Sequence, residues 1–469
     1  MNERDIGRIV GEVLKRLETA AEPGGSGGGV FKTVDEAVSA ARAAQAVFQE
    51  LGVEKRREII KAIREAAAAN AQKLARMAHE ETGMGRYEDK VRKNIICAVK
   101  SPGVSDIVSQ CYTGDKGLTL VEFAPFGVVA AVTPSTNPAA TVINNSIIIL
   151  AGGNAVVFAP HPAAKKTTAE AVRLINGAIL SAGGPANVVA TVEEPSQEAT
   201  KALLSHPGTN LNLVTGGPAI VKVAMSTGKT CKVIAAGPGN PPVVVDETAV
   251  FPDCANHIVF GASFDNGVLC TAEKEVIVLE SAKEKFLAAL RANAGARELS
   301  REQFDRLTDI VIKKRAADGH EAVMNRDYVG HNAGFIAKAI GLDLPDSVRV
   351  LWSVVPNDHP LVWAEQLMPV LPVTIAPDLD AALELAYHAE GYNRHTAAMH
   401  STNIASLTRM ARRMQCSIFV KNAPTIYGLG MGEGYAGMSI GTPTGDGISK
   451  PTCFVRRLHC ATVGHFRIT

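Results

Sequence analysis

No run of apolar residues approaches the roughly 20 needed to span a bilayer. Ser146–Pro160 comes nearest, and Gly152, Gly153 and Asn154 interrupt it. A secretory signal is missing too, so the sequence predicts a soluble protein with no membrane partner. Neither charge is in surplus: 48 Lys and Arg stand against 47 Asp and Glu. That balance gives no electrostatic reason to expect nucleic acid. None of the eight cysteines forms a C-x-x-C pair, and scattered thiols in a long chain read as reduced and cytosolic. The twelve histidines lack metal-ligand spacing, so no metal is expected. What is present is ordinary for a globular protein, 46% hydrophobic and 20% charged. At 469 residues there is room for two or more domains.

The first 18 residues stand apart. Ile6, Ile9, Val10, Val13, Leu14 and Leu17 fall on one helical stripe, with acidic and basic residues on the other faces. The acidic ones argue against a mitochondrial transit peptide. The run Glu22-Pro23-Gly24-Gly25-Ser26-Gly27-Gly28-Gly29 follows, a flexible tether. A short amphipathic helix on a glycine string cannot bury its stripe locally, so it docks either on the body of its own chain or on a partner.

Periodicity predicts helices at Asp35–Phe48, Val53–Glu81 and Tyr87–Val99. From Gly127 the pattern becomes short strands, near Val128–Val132, Ala155–Phe158, Val188–Thr191 and Leu211–Val214. Helices near Ala139–Leu150, Ala163–Ser181, Ser196–Leu204 and Ala219–Ser226 alternate with them. This is the signature of a doubly wound parallel sheet, which binds ligands at the carboxyl ends of its strands. A second mixed α/β region starts near Lys232, and the tail from Ile448 reads as β.

Cys270 is the candidate reactive residue. It closes Ser263-Phe264-Asp265-Asn266-Gly267-Val268-Leu269-Cys270-Thr271, a turn-like, charge-poor setting. It lies about thirty residues after a strand punctuated by glycine and proline, Val233–Asp246. A thiolate attacks carbonyls well once its pKa is lowered or a base is supplied. Read alone, a free cysteine is more often a small inert core residue. The preceding strand has only alanines between Ile234 and Gly237, so nothing there can activate water.

Four segments in this order resemble the aldehyde dehydrogenase superfamily from about residue 30 onward: Thr133–Pro138, Thr215–Pro218, Asn266–Cys270 and Glu365–Val370. The nearer likeness is to the CoA-acylating aldehyde dehydrogenases of bacterial microcompartments. Thr133–Pro138, Phe158–Pro162, Ala235–Asp246 and Ser417–Asn422 carry it. That resemblance implies an α/β fold of three parts. A doubly wound, Rossmann-like domain for NAD and CoA takes residues 31–109 and 126–235, and a catalytic α/β domain takes 236–445. A β oligomerisation element is formed by 110–125 with 446–469. Residues 1–18 become an encapsulation helix, 19–30 its linker, and the protein a homodimer or homotetramer.

The same resemblance assigns roles. Cys270 attacks the aldehyde and keeps an acyl thioester after hydride leaves to NAD. Asn137 donates to the oxyanion, and its alternative is an ordinary Asn-Pro turn. Glu365 holds a ribose, unless it is a solvated loop glutamate. Thr133, Pro134 and Ser135 line the cofactor site. Thr215, Gly216 and Gly217 bring donors to a pyrophosphate at a helix start. Hydrolytic members carry a glutamate at Ala235 (or Ala236, with one residue of slip) and a lysine at Ala159. Both are missing here, which implies a thioester that survives until CoA arrives and a looser pocket used by NAD and CoA in turn. His161 is a CoA contact or a structural loop residue. The implied reaction is a short aldehyde, propionaldehyde ahead of acetaldehyde, to acyl-CoA inside a microcompartment of the bacterial cytoplasm. Shell or core proteins are the partners of residues 1–18. The rivals are a hydrolytic or semialdehyde dehydrogenase and a non-catalytic scaffold. No Arg/Lys cluster adjoins the Cys270 motif in the sequence, which argues against a phosphate- or carboxylate-bearing substrate.

Overall fold

The computed structural model describes residues 28–314 and 322–465. The N-terminal stripe and most of its tether lie outside the described residues. Two parallel sheets and one small antiparallel sheet organise the rest.

The first sheet has six strands in the spatial order Val30–Phe31, Val189–Val192, Ala155–Pro160, Val128–Thr133, Leu211–Thr215 and Lys232–Ala236. Its central strands are buried on both faces, which is why Val128–Thr133 and Ala155–Pro160 read as unbroken apolar runs. Helices cover both faces, among them Val34–Phe48, Pro138–Ala151 and Lys165–Ser181. The chain winds outward in one direction from Val128–Thr133 and later in the other. A crevice therefore opens between the ends of Val128–Thr133 and Leu211–Thr215.

The second sheet has seven parallel strands: Ala296–Glu298, Val350–Val354, Val370–Ala376, Glu275–Leu279, Pro242–Val245, Thr396–His400 and Ile418–Lys421. Separate apolar clusters pack on its two faces, one around Trp352 and Phe286, the other around Met399 and Met410. The third sheet joins the hairpin Gln110–Gly114 and Gly117–Pro125 to the strand Val455–Val463. The tail strand runs antiparallel along the hairpin from Val455 opposite Pro125 to Val463 opposite Gly117.

Two expected elements differ. The helix expected over Val53–Glu81 is two helices, Val53–Ala69 and Ala71–Thr82, parted at Asn70, whose backbone leaves helical geometry at ψ 11°. Asparagine offers the backbone this alternative through its own side chain, and Asn70 Nδ2 donates to the Ala66 carbonyl at 2.9 Å. The expected strand Val233–Asp246 is likewise two strands, one in each large sheet. Gly237-Pro238-Gly239-Asn240-Pro241 carries the chain from one sheet to the other, because two prolines remove ladder donors there. That crossing sets Gly239 beside the Cys270 loop.

Candidate active site

The helix Asp253–Ser263 ends at Phe264, and the next three residues are all left-handed: Asp265 (φ 50°), Asn266 (φ 56°) and Gly267 (φ 70°). Two of them carry a Cβ, so the turn costs about 2–4 kcal/mol at the usual 1–2 kcal/mol per residue. Buried charge holds it. The Asp265 carboxylate accepts from the Arg86 N–H at 2.7 Å, from Lys90 Nζ at 3.2 Å and from Lys93 Nζ. Asp265 N–H donates to Asp89 Oδ2 at 2.9 Å, and Asp89 is paired with Arg349 at 3.1 Å. Asn266 accepts from Arg86 Nε and donates to the Gly330 carbonyl at 2.8 Å. Charge-assisted bonds are worth about 1.5–3 kcal/mol each, so this set outweighs the strain. The turn delivers Cys270 as a half-buried thiol.

Lys274, fully buried, closes the loop from beneath by donating to the carbonyls of Gly267 at 2.6 Å and Leu269 at 3.2 Å. Burial pushes the Cys270 thiol up to about 12; the Glu365 carboxylate adds to that, and Lys274 and Lys93 oppose it. The resting thiol is therefore protonated, and attack needs a base. Glu365 is held up to about 7 by burial, with Lys274 and the Gly239 backbone amide pulling the other way. His395 is buried and pushed down to about 4, first by desolvation and then by Lys274, so its ring is neutral at pH 7. Its Nδ1 lies 2.9 Å from Thr396 Oγ1, while Nε2 has no partner among the described residues. Gly239 is the junction of the three. A Cβ there would lie 2.7 Å from the Cys270 carbonyl oxygen and 2.9 Å from the His395 ring.

Asn137 caps the Pro138–Ala151 helix after the Val128–Thr133 strand, and is 8% exposed. Its Oδ1 accepts from Lys93 Nζ and its Nδ2 donates to Thr136 Oγ1 at 3.0 Å. Lys93 thus joins Asn137 to the Asp265 turn.

Apart from Glu365, which lies in the loop before Val370–Ala376, the expected cofactor residues gather at the ends of three adjacent strands of the first sheet. Thr133 closes one strand, buried, with its hydroxyl unpartnered among the described residues; Pro134 and Ser135 follow in the loop. Ala159 is buried in the neighbouring strand, and His161 just beyond it is exposed. The His161 N–H donates to the Thr133 carbonyl at 3.1 Å, and partial burial, then nearby Arg326, lowers its imidazole pKa. Gly217 caps the Pro218–Met225 helix, and a Cβ there would meet nothing within 4 Å. The Thr215 hydroxyl lies 2.7 Å from Ser439 Oγ, and either group can be the donor of that bond. Ala235 and Ala236 end the Lys232–Ala236 strand, both buried.

The sequence reading of a charge-poor surrounding for Cys270 is corrected by the fold. Arg86, Lys90, Lys93, Lys274 and Arg349 converge on its loop. Asp265, Asp89 and Asp346 pair with four of these five cations, Arg86, Lys90, Lys93 and Arg349. His395, Lys274 and Lys93 were missed as well. Lys90 and Lys93 share the buried face of their helix with Asp89 and Asn94, and no local pattern in the sequence distinguishes that polar face from a solvated one.

The chain matches the family described as aldehyde dehydrogenase over residues 29–445. It is 47% identical to acetaldehyde dehydrogenase (acetylating) EutE of Salmonella typhimurium, over 100% of both chains. A propionaldehyde dehydrogenase from the fucose utilisation bacterial microcompartment of Clostridium phytofermentans has a similar structure. Its TM-score is 0.90 at 40% identity, over 94% of this chain and 100% of that one. The Rhodopseudomonas palustris propionaldehyde dehydrogenase, solved with bound CoA and an acylated cysteine, gives 0.89 at 43% identity, over 93% and 98%.

Proposed function

The chain belongs to the aldehyde dehydrogenase family, and from that premise we propose that it oxidises acetaldehyde or propionaldehyde with NAD and CoA to acyl-CoA. Cys270 carries the acyl group as a thioester. The observation that carries this reading is a half-buried Cys270 delivered by a fixed left-handed turn, with the Glu365 carboxyl acting on its thiol and the neutral His395 ring beside its loop at Gly239.

The strand ends fit a dinucleotide. Thr133 offers an orphaned buried hydroxyl, and Gly217 leaves open space at a helix start, where backbone N–H groups favour phosphate. Thr133, Pro134, Ser135, Ala159, His161, Thr215, Gly216, Gly217 and Glu365 would hold NAD. When bound, its nicotinamide supplies the hydride acceptor.

His395 takes the Cys270 proton as Sγ adds to the aldehyde carbon, forming a thiohemiacetal. Asn137 Nδ2 and the Cys270 N–H stabilise the developing oxyanion, and such donors are worth about 3 kcal/mol each. Loss of hydride leaves the thioester on Cys270. Ala235, buried with its N–H on Thr444 Oγ1 at 3.2 Å, provides no carboxylate to activate water. A CoA thiol is nucleophilic without one. It displaces Cys270, which regains a proton, in a ping-pong order.

The exposed tail strand, with Val463 at 81%, supports an oligomeric contact for the third sheet. Residues 1–18 serve as the docking helix toward microcompartment shell or core proteins, placing the enzyme in the compartment interior. Two arms test these readings. Aldehyde and NAD with CoA should yield NADH and thioester in equal amounts; stoichiometric free acid in abundant CoA overturns the acylating reaction. Removing residues 1–18 should leave turnover intact and abolish co-fractionation with shells; retained co-fractionation overturns the docking role.

A further inference from the structure

The Tyr87–Lys100 helix turns two lysines inward, one turn apart. The side chains of Lys90 and Lys93 are 3% and 4% exposed, and both ammonium groups bind the same Asp265 oxygen. Two cations against that carboxylate leave positive charge over. Lys90 directs its second bond to the Thr136 carbonyl at 3.2 Å, and Lys93 directs its own to Asn137 Oδ1. Both therefore point at the loop that carries the proposed oxyanion donor.

An ammonium group can only donate, so it decides which end of a carboxamide faces it. Oδ1 of Asn137 must turn toward Lys93, and the NH2 group must turn away. In this structure the NH2 group rests on Thr136 Oγ1. No further hydrogen bond to the Asn137 side chain occurs among the described residues, so the fixed orientation comes from Lys93. Burying an ammonium costs several kcal/mol before pairing. A leucine or methionine would fill the same helix position without that cost. The same charge also acts on the thiol, favouring its ionised form.

We propose that Lys93 is a positioning residue for the aldehyde chemistry. It locks the Asn137 carboxamide with its NH2 group presented to the substrate oxygen, and it sets a fixed positive charge behind that group. The inference rests on Asn137 being the oxyanion donor, so its test separates the two. Steady-state kinetics are compared for Asn137→Ala, Lys93→Met and the double variant. Loss of one oxyanion donor lowers turnover about 10²–10³-fold, and Asn137→Ala at near-normal kcat would sink the donor role itself.

Given that loss, Lys93→Met should lower kcat about 10–10²-fold while the aldehyde KM moves less than about threefold. Combining it with Asn137→Ala should cost little more than Asn137→Ala alone. Additive losses in the double variant, or an unchanged kcat in Lys93→Met, would overturn the positioning role. Lys93→Arg should restore part of the rate, because it keeps a donor toward Oδ1. Asn137→Asp decides the matter if Lys93→Met does not fold, since it leaves the lysine pair and Asp265 in place. A carboxylate facing Lys93 should keep the unfolding temperature at or above that of Asn137→Ala while turnover falls equally far. A lower unfolding temperature than Asn137→Ala would show that the ammonium does not face position 137.

Discussion

Where the first sheet ends, at Thr133–Asn137, Ala159–His161 and Thr215–Gly217, the chain offers small or uncharged side chains and leaves room. Where the second region delivers Cys270, ionic side chains fill the space under the loop. A Cβ at Gly217 would touch nothing within 4 Å, while one at Gly85 would run into the Asp265 carboxylate. The contrast follows from what each wall does. In the proposed reaction one wall admits two nucleotide-bearing molecules in turn, and backbone donors with open space suit both. The other must hold one sulfur atom in place through addition, hydride loss and acyl transfer, and a left-handed turn stays put only when its neighbours over-determine it.

The sharpest way to break this contrast is Gly85→Ala. The residue has φ +76°, and the new methyl overlaps Asp265, the hub of the turn. Strain and displacement of a buried ionic group act together, so stability should fall by more than about 3 kcal/mol. Turnover should fall with it. Denaturant unfolding measures the first, and a loss below about 1 kcal/mol with full activity would mean that the charged wall tolerates change as well as the open one does.

Gly239→Ala should do less to the fold and more to the chemistry. Its φ lies outside the left-handed region, so alanine adds no backbone strain; the methyl presses on the Cys270 carbonyl and the His395 ring. A shift of about 1 Å at the reacting atoms is enough for about a 10²-fold loss in kcat. Stability should fall by only about 1–3 kcal/mol, the usual range for overpacking. Unaltered kcat would separate His395 and Cys270 functionally and remove His395 as the base.

The two walls were unequally readable from sequence, for a physical reason. Strand ends followed by Thr-Pro-Ser-Thr-Asn-Pro or Thr-Gly-Gly-Pro announce themselves through local turn chemistry and period, and the sheet places them within a residue or two of expectation. The charged wall is assembled mainly from contacts across long stretches of chain, Arg86 and Lys93 with Asp265 and His395 against Gly239, with Lys274 closing its own loop locally. No local pattern encodes such pairings. A lysine on a helix reads as a solvated face until the fold puts a carboxylate opposite it. The Gly237–Pro241 crossing was visible as punctuation, yet its consequence, the meeting of the Cys270 main chain, the His395 imidazole and Glu365 at Gly239, belongs to tertiary structure.

Gly217→Ala sharpens the contrast from the open side and carries the smallest effect. The residue caps its helix with φ −68° and ψ 171°, a conformation alanine adopts freely. Its Cβ would enter empty space, so the fold has no reason to move. Alanine is a poorer helix cap than glycine, which sets the stability cost at about 1 kcal/mol or less. The methyl does occupy the room through which a phosphate approaches the helix start. The expected result is a KM for NAD raised several-fold, with kcat at saturation within about twofold of the parent. With NAD and CoA proposed to use the crevice in turn, the KM for CoA is expected to rise alongside it. A KM for NAD that stays put would place the pyrophosphate elsewhere, whereas a rise for NAD alone would mean that CoA enters by a separate route.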